Sequence, residues 1–205
     1  MPRAGFFALS CVTMVGLSCA IPKAPPAELP PVGANAEPTL PTFDGVAVES
    51  IARRFGSVRQ TGMTRGEIGA LAQTIVREAQ RHDIDPALVV AVIHVESRYD
   101  AFIVSHAGAM GLMQILPTTG EEVAARLGIP WRGPQTLFDP IVNVKIGVAY
   151  LKELSDRYGD TGAALAAYNW GPGHIDRRLR RGSPLPKIYP QLVFDAYSDP
   201  TERSS

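Results

Sequence analysis

The chain has 205 residues, a formal net charge of zero at neutral pH and only two cysteines. This length allows one folded domain once the segments without a periodic pattern are set aside. The balanced charge does not favour a nucleic acid partner, because the arginines are not aligned along one face. Both cysteines precede residue 20, so neither a disulfide framework nor a thiolate metal site is expected in the folded part.

The N-terminus has the pattern of an export signal, with Arg3 followed by a mostly apolar stretch over residues 4–17. That stretch is too short to span a bilayer as a stable helix. It runs through small residues into Cys19 and so resembles a bacterial lipobox, although Gly16 stands where an aliphatic residue is commoner. We predict a lipoprotein signal peptide over residues 1–18, lipidation of Cys19 and attachment to the periplasmic face of the outer membrane. The alternatives are an ordinary secretory signal with a soluble periplasmic product, and an unmodified Cys19 in a retained anchor.

Residues 19–62 are predicted to be a linker. The part over residues 21–42 is rich in Pro, Ala and Glu, and prolines at this density exclude a regular helix and favour extended polyproline geometry. We interpret it as a disordered spacer, which would also tether a domain to a membrane. One short helix is predicted around residues 48–55, in an otherwise ambiguous stretch.

Helix signals become clear after the linker, and we predict one domain over residues 63–198 followed by a tail, 199–205. A capping box formed by Thr64 and Glu67 begins an amphipathic helix. The pair Asp85-Pro86, a capping residue followed by proline at the first helical position, begins a helix that is apolar on almost all sides. This second helix is therefore predicted to be buried at the centre of the domain.

Four further helices are predicted along the rest of the domain. They are a short helix after a second capping box at residues 118–121, a longer one from Asp139-Pro140 to Gly159, one over residues 161–168, and a last one that ends at Gly182. No alternating strand pattern of useful length occurs, so the domain is predicted to be mainly α. The arginine cluster at residues 177–181 falls near the end of the last helix, where the helix dipole favours positive charge; contact with an anionic polymer is the alternative interpretation.

Glu96 is the one carboxylate in the apolar central helix, near its predicted C-terminus. Burial disfavours the charged form and raises the pKa of a carboxyl group, as a general acid working near neutral pH requires. The structural alternative is a salt bridge to Arg98 or to another arginine that offsets the burial.

Two glycine-rich segments follow, at residues 107–114 and 168–173. The first ends in Gln114, and the second combines a phenol, an amide and an indole over residues 168–170. Amide and aromatic groups beside backbone freed by glycine suit a sugar that carries hydroxyl and N-acetyl substituents. Neither segment has the lysine or the following helix N-terminus of a phosphate-binding loop.

Several short motifs occur in order between residues 67 and 176. They are Glu96-Ser97, Ser105, Ala107-Gly108-Ala109, Gly111-Leu112-Met113-Gln114, Phe138-Asp139-Pro140, Asn143, Ala167-Tyr168-Asn169 and Gly171-Pro172-Gly173. In this order and at this spacing they resemble the lytic transglycosylase domain of the soluble-transglycosylase (SLT, goose-lysozyme-like) family, over somewhat more than half the chain. The resemblance implies a lysozyme-like helical fold with a catalytic groove, and peptidoglycan glycan strands as the substrate.

Five residues depart from the family's pattern. Asp100-Ala101 stands where Asn-Pro is usual, His106 where proline or another small residue is common, Leu116 where methionine is frequent, and Trp170 where alanine is usual. These positions border the expected groove, so they affect the preference for substrate subsites and leave the catalytic acid intact.

The resemblance implies a lyase reaction that uses one carboxylate. Glu96 would protonate the oxygen between N-acetylmuramic acid and N-acetylglucosamine, and would then take the proton of the muramic acid 6-hydroxyl as a 1,6-anhydro ring closes. The substrate's N-acetyl group would support the positive charge at C1. Most glycosidases use two carboxylates instead; the nearest second candidate is Asp100, which we interpret as a turn residue.

The resemblance also implies roles for residues around Glu96. Tyr168 should hydrogen-bond near Glu96 and position it, with a core aromatic as the alternative. The predicted substrate-binding residues are Ser105, Gly111, Met113, Gln114 and Asn169. Of these, Ser105 and Gln114 should contact the N-acetyl-bearing sugar, and Asn169 should order its loop.

No metal and no cofactor are predicted, because His94 and Glu96 are only two residues apart and no H-E-x-x-H motif occurs. The predicted partners are peptidoglycan glycan strands and, through Cys19, a membrane; a partner in the cell-envelope machinery is left unspecified. Two other functions stay open. One is a lysozyme-like hydrolase on the same fold, and the other is a non-catalytic glycan-binding or assembly module.

Overall fold

The mainly α class predicted from the sequence is confirmed in the computed structural model, which describes residues 45–58 and 61–198. Over these ranges the chain forms eight α-helices, one short 3-10 helix at Pro134–Phe138 and only isolated β-bridges. The α-helices are α1 (Gly45–Ser57), α2 (Arg65–Arg81), α3 (Pro86–Ser97), α4 (Pro117–Leu127), α5 (Pro140–Tyr158), α6 (Thr161–Trp170), α7 (Pro172–Arg180) and α8 (Ile188–Ser198). Among them, none combines the length and the apolar character that a membrane crossing needs. The predicted signal peptide, Cys19, the proline-rich spacer and the tail lie outside the described residues.

Helix α3 is the buried central helix that its composition predicts. The Asp85 side chain accepts a hydrogen bond from the backbone at the start of the helix at 2.8 Å, and residues 89–93 are at most 2% exposed. The helix packs against α2 and α8. It ends at Arg98, which takes the left-handed conformation (φ 50°). Glu96 therefore lies in the last turn, where the helix leaves the core.

Two of the predicted helix starts are confirmed by their capping contacts. At α2, the Thr64 hydroxyl accepts from the Glu67 backbone N–H, and the Glu67 carboxylate accepts from the Thr64 N–H at 2.7 Å. At α5, the Asp139 carboxylate accepts from two backbone N–H groups of the first turn, and the helix ends at Gly159 as predicted.

The second predicted capping box, at residues 118–121, is wrong. Helix α4 begins at Pro117, with Leu116 in the capping position and no side-chain cap. The physical reason is that proline, with its fixed φ and missing N–H, fits the first helical position. Both threonines are then already inside the helix, where they cannot act as caps.

Helix α8 was not predicted, and it places Tyr189 against the end of α3. It packs against α3 and α6, and its buried side chains include Tyr189 and Val193. Helix α1 is longer than the helix predicted around residues 48–55, and it packs on α2. Its Phe55 is completely buried and meets the ring of Tyr99 edge-on, with 4.8 Å between ring centroids.

The segments at the end of α6 and in α7 also follow the predicted pattern closely. Helix α6 extends two residues beyond the predicted end, to Trp170. Helix α7 carries Arg177, Arg178 and Arg180 in its last turn, and Gly182 follows with a positive φ of 62°. The arginine cluster therefore lies at a helix C-terminus, as expected from the dipole.

Candidate active site

The candidate active site forms where the last turn of α3 meets the first turn of α8. The Tyr189 hydroxyl donates a hydrogen bond to Glu96 Oε1 at 2.6 Å, across 93 positions of sequence. Tyr189 is 7% exposed, whereas Glu96 is only partly buried. A carboxyl group that solvent can still reach is thus held by a hydroxyl that belongs to the core.

The environment of Glu96 suits it to hold and release a proton near neutral pH. Burial raises the pKa of Glu96 from its ordinary 4.5 to about 7, and the hydrogen bond from Tyr189 opposes that rise. Burial, followed by the charge of Glu96, also raises the pKa of Tyr189 well above its ordinary value. The tyrosine hydroxyl therefore stays protonated and keeps donating to whichever form of Glu96 is present.

A salt bridge does not explain the carboxylate. Within residues 45–58 and 61–198, the ion pairs join other side chains, and Glu96 takes part in none of them. The alternative of a salt bridge from Glu96 to Arg98 is therefore wrong. A partly buried carboxyl group without a cationic partner is costly in its charged form, which is the reason for its raised pKa.

The charge of Glu96 affects the pKa of Tyr168, although the Tyr168 hydroxyl bonds to another group. Its hydroxyl donates to the Met113 carbonyl oxygen at 2.8 Å, and its ring centroid lies 5.4 Å from that of Tyr150. Burial, followed by the Glu96 charge, raises the pKa of Tyr168 well above its ordinary value. The direct hydrogen bond to Glu96 is thus made by Tyr189. Tyr168 instead connects α6 to the loop between α3 and α4, residues 98–116.

Asn143 of α5 holds that loop in place. It is completely buried; its Oδ1 accepts from the Met113 N–H at 2.8 Å, and its Nδ2 donates to the carbonyl oxygens of Met110 and Leu137, each at 2.9 Å. One buried amide side chain therefore satisfies three backbone groups on two segments, which fixes the loop against α5.

Gly111 allows the loop to approach Asn143 and Leu137 closely. Its φ is 76°, and a Cβ at this position would collide with the Asn143 side chain and with the Leu137 carbonyl oxygen. Gly111 and Met113 are both buried, and the Met113 side chain is completely enclosed in the core. Of these two predicted substrate-binding residues, glycine has no side chain and the Met113 side chain is buried, so neither offers a side chain to a ligand. Their role in substrate binding stays a prediction.

The other predicted residues keep polar groups near the surface. Gln114 has a positive φ of 48°, and its Nε2 donates to the carbonyl oxygens of Gly111 at 2.9 Å and Ile103 at 3.2 Å. The Ser105 hydroxyl accepts from the Ala109 N–H at 3.1 Å and so closes a turn. Both side chains therefore stabilise the conformation of the loop through these hydrogen bonds.

A cavity of about 250 Å³ opens beside this loop. Its lining brings Gln114 together with Tyr168 and Asn169, three of the predicted site residues, and adds Tyr150 and Trp170. Glu96 and Ser105 are not part of this lining. The cavity wall combines aromatic faces with amide groups, which is the mixture that sequence analysis associated with sugars.

Asp100 stabilises the turn that follows α3. Its Oδ1 accepts a hydrogen bond from the Phe102 N–H at 2.9 Å, one turn after the helix ends. In the part of the chain that the structure describes, no group of three or more His, Cys, Asp or Glu side chains is placed to hold a metal ion.

Residues 73–188 match the Transglycosylase SLT domain. Since this match covers more than half of the chain, the chain belongs to that family. The lysozyme-like helical fold implied by the sequence motifs is thereby confirmed.

Individual relatives cover the same region. Membrane-bound lytic murein transglycosylase C of Histophilus somni (strain 2336) is 33% identical over 136 residues, which represent 58% of this chain and 37% of that protein. The transglycosylase of Enterobacteria phage PRD1 is 37% identical over 120 residues, 52% of this chain and 42% of that protein. Among solved structures, an inactive mutant of the lytic transglycosylase Slt from Pseudomonas aeruginosa has a TM-score of 0.50 at 30% identity, over 64% of this chain and 21% of that one. The chain thus spans less than half the length of each of these relatives.

Proposed function

We propose that the chain is a lytic transglycosylase that acts on peptidoglycan. It cleaves the β-1,4 bond between N-acetylmuramic acid and N-acetylglucosamine and leaves a 1,6-anhydro-muramic acid end. The observation that carries the proposal is Glu96, an accessible carboxyl group with a pKa of about 7 and one buried hydroxyl partner. Membership of the Transglycosylase SLT domain family supports the choice of substrate.

In the first step Glu96 acts as the acid. The protonated carboxyl group gives its proton to the glycosidic oxygen, the bond from C1 to that oxygen breaks, and the N-acetylglucosamine side leaves as an alcohol. The carbonyl oxygen of the muramic acid N-acetyl group supports the positive charge that develops at C1. Burial favours this step, because it keeps the carboxyl group protonated at a pH where an ordinary glutamate is charged.

In the second step Glu96 acts as the base. Its carboxylate takes the proton of the muramic acid 6-hydroxyl, and the 6-oxygen bonds to C1 to close the anhydro ring. Glu96 is then protonated again and no water has been consumed. The Tyr189 hydroxyl stabilises the carboxylate between the two steps, since a hydrogen bond to the charged form favours that form.

The loop before α4 and the end of α6 bind the sugars. Gln114 and Asn169 line the cavity beside Tyr168, and their amide groups can donate to and accept from hydroxyl and N-acetyl groups. Ser105 is on the same loop and contributes a hydroxyl. Tyr168 acts as a positioning residue, because its bond to the Met113 carbonyl fixes the loop relative to α6.

We further propose that the chain is exported and anchored by a lipid on Cys19. The observations that support this are the apolar N-terminal stretch and the small residues that run into the cysteine. The proline-rich spacer over residues 21–42 would then give the domain reach from the membrane towards the wall.

The catalytic proposal is tested by comparing two isosteric carboxylate variants on purified murein sacculi. Glu96→Gln keeps the size and the acceptor for Tyr189 but removes proton transfer, so release of soluble muropeptides should fall by about 10²–10⁴-fold. Asp100→Asn is the matched control and should keep most of the activity, because the amide oxygen still accepts in the turn. If Asp100→Asn were as inactive as Glu96→Gln while folded, a mechanism with two carboxylates would replace this one.

A further inference from the structure

Trp170 is a large aromatic side chain at the C-terminal end of α6. It is 53% exposed, although burying an indole ring is favourable. Its ring packs against the ring of His174, with 5.1 Å between centroids and 31° between planes. One face of the indole is thus supported by the protein while much of the side chain stays in solvent.

The support behind Trp170 is itself fixed by hydrogen bonds. Arg178 donates from Nε to His174 Nε2 at 2.9 Å, and from Nη1 to the Pro184 carbonyl oxygen at 2.7 Å. These contacts hold the imidazole in one orientation against the indole. A side chain that is held in place before binding loses less conformational freedom when a ligand covers it.

Trp170 also belongs to the lining of the cavity beside the loop, together with Gln114, Tyr168 and Asn169. Two amide groups that can donate and accept therefore lie around the same cavity as an exposed aromatic ring. A β-linked N-acetylhexosamine ring has the matching chemistry, because its axial C–H groups form an apolar face and its hydroxyl and N-acetyl groups form a polar rim. The negative face of an aromatic ring attracts such weakly positive C–H groups.

From these contacts we propose that Trp170 is the platform of a glycan subsite that stacks on one N-acetylhexosamine ring of the strand. The inference rests on the proposed function, since the ring stacked on Trp170 belongs to the glycan strand that is the proposed substrate. The platform makes binding of the strand stronger without taking part in proton transfer.

The test measures glycan binding in the Glu96→Gln variant, in which turnover should be about 10²–10⁴-fold slower. Uncross-linked glycan strands and N-acetylglucosamine oligomers are titrated by calorimetry against this variant alone and with Trp170→Ala, Trp170→Phe or Leu179→Ala added. We expect Trp170→Ala to weaken binding about tenfold, as truncation of a central aromatic contact does. Trp170→Phe should stay within about threefold because it keeps a stacking ring. Leu179→Ala removes a side chain of similar exposure, 50%, from α7 outside this cavity and should change nothing.

A second readout uses fluorescence, because the chain has only two tryptophans. Saturating glycan should change the emission of the Glu96→Gln variant, and the change should disappear in Trp170→Phe, where Trp131 remains as an internal reference. In the active enzyme, Trp170→Ala should raise KM for glycan strands about tenfold and leave kcat nearly unchanged.

The outcomes separate this inference from the proposed function. If the wild-type protein releases anhydro-muropeptides but Trp170→Ala binds glycan and turns it over as the wild type does, the platform is wrong and the function stands. If the wild-type protein releases no anhydro-muropeptides, the proposed function itself is wrong, and the platform with it. Equal binding by Trp170→Ala and Trp170→Phe at a tenfold loss would also contradict stacking, since only one of them retains a ring.

Discussion

Two effects, burial and a hydrogen bond, shift the pKa of Glu96 in opposite directions. Removal from water favours the neutral acid and has the larger effect, and the Tyr189 hydrogen bond favours the carboxylate. Their balance leaves the pKa of Glu96 at about 7, between the value of an ordinary glutamate and that of a fully buried one. A group that must act first as an acid and then as a base needs such an intermediate value.

Replacing Tyr189 by phenylalanine should raise the pKa of Glu96 further, because it removes the contact that favours the charged form. The acid step needs protonated Glu96, so kcat/KM of the wild type should fall as the pH rises through about 7. In Tyr189→Phe this fall should move to higher pH, while kcat drops because the intermediate carboxylate loses its donor. The measurement is the pH profile of kcat/KM on soluble glycan fragments.

The matched control for this profile is Tyr158→Phe. The Tyr158 hydroxyl bonds to Asp176 at 2.9 Å and to the Pro172 carbonyl oxygen at 3.1 Å, with no contact to Glu96. The profile should therefore keep its position in Tyr158→Phe. A Tyr189→Phe profile that stays in place, or that moves to lower pH, would show that Tyr189 does not set the protonation of Glu96.

At the scale of single residues, local sequence pattern identified Glu96 and missed Tyr189. Glu96 could be found because it is the one carboxylate in an otherwise apolar helix. Tyr189 lies 93 positions further on, and its role arises only when α8 packs on α3. Met113, which the resemblance predicts to bind substrate, has a completely buried side chain, and its short motif does not reveal that burial.

At the scale of elements, the site depends on a loop that has almost no regular structure of its own. Its backbone forms the isolated bridges Val104–Met110 and Met110–Ile115, and the Ser105 and Gln114 side chains add hydrogen bonds within it. Further contacts that fix its conformation come from two helices, through Asn143 of α5 and Tyr168 of α6.

Asn143 should therefore be hard to replace, even by its closest isostere. In Asn143→Asp the Oδ1 acceptor for Met113 remains, but a carboxylate oxygen then faces the carbonyl oxygens of Met110 and Leu137. We expect both Asn143→Asp and Asn143→Ala to lower the free energy of unfolding by about 2–5 kcal/mol, since each leaves buried backbone groups unsatisfied. Urea unfolding followed by circular dichroism measures this loss.

Asn169→Asp is the matched comparison, because Asn169 is exposed and surface substitutions usually change stability by less than about 0.5 kcal/mol. An Asn143→Asp protein as stable as the wild type would mean that the loop does not depend on this amide.

The helices themselves were predictable where a cap marks their start and only partly elsewhere. Asp85 and Asp139 each bond to the first turn that follows them, so the sequence contains the contact. Helix α8 has no comparable signal at its start, and Pro190 interrupts its pattern in the first turn. A helix of this kind is stabilised mainly by the apolar face that it packs onto its neighbours, which a local pattern does not reveal.

At the scale of the whole molecule, the proposed anchor and the proposed active site are separate functions that can be tested separately. If Cys19 is lipidated, cells fed a fatty-acid analogue should label the protein, and Cys19→Ala should abolish the label because no other residue can take its place at the signal's end. Cys11→Ala is the control and should keep the label. Unlabelled protein that is soluble in the periplasm would contradict the anchor and leave export in place.

A transglycosylase and a hydrolase differ in whether water reacts at C1 of the muramic acid. A transglycosylase closes the anhydro ring with the substrate's own 6-oxygen, whereas a hydrolase places an oxygen from water on C1. The two reactions can share one fold and one acid, so neither the position of Glu96 nor the loss of activity in Glu96→Gln distinguishes them.

The most direct test of the central claim is mass spectrometry of the muropeptides that the protein releases from purified sacculi in heavy-oxygen water. A hydrolytic lysozyme digest in the same water provides the labelled reference. We predict that the muramic acid ends are 1,6-anhydro rings without heavy oxygen. Reducing ends that carry the heavy oxygen would show that water attacks C1, and would contradict the single-carboxylate transglycosylase mechanism.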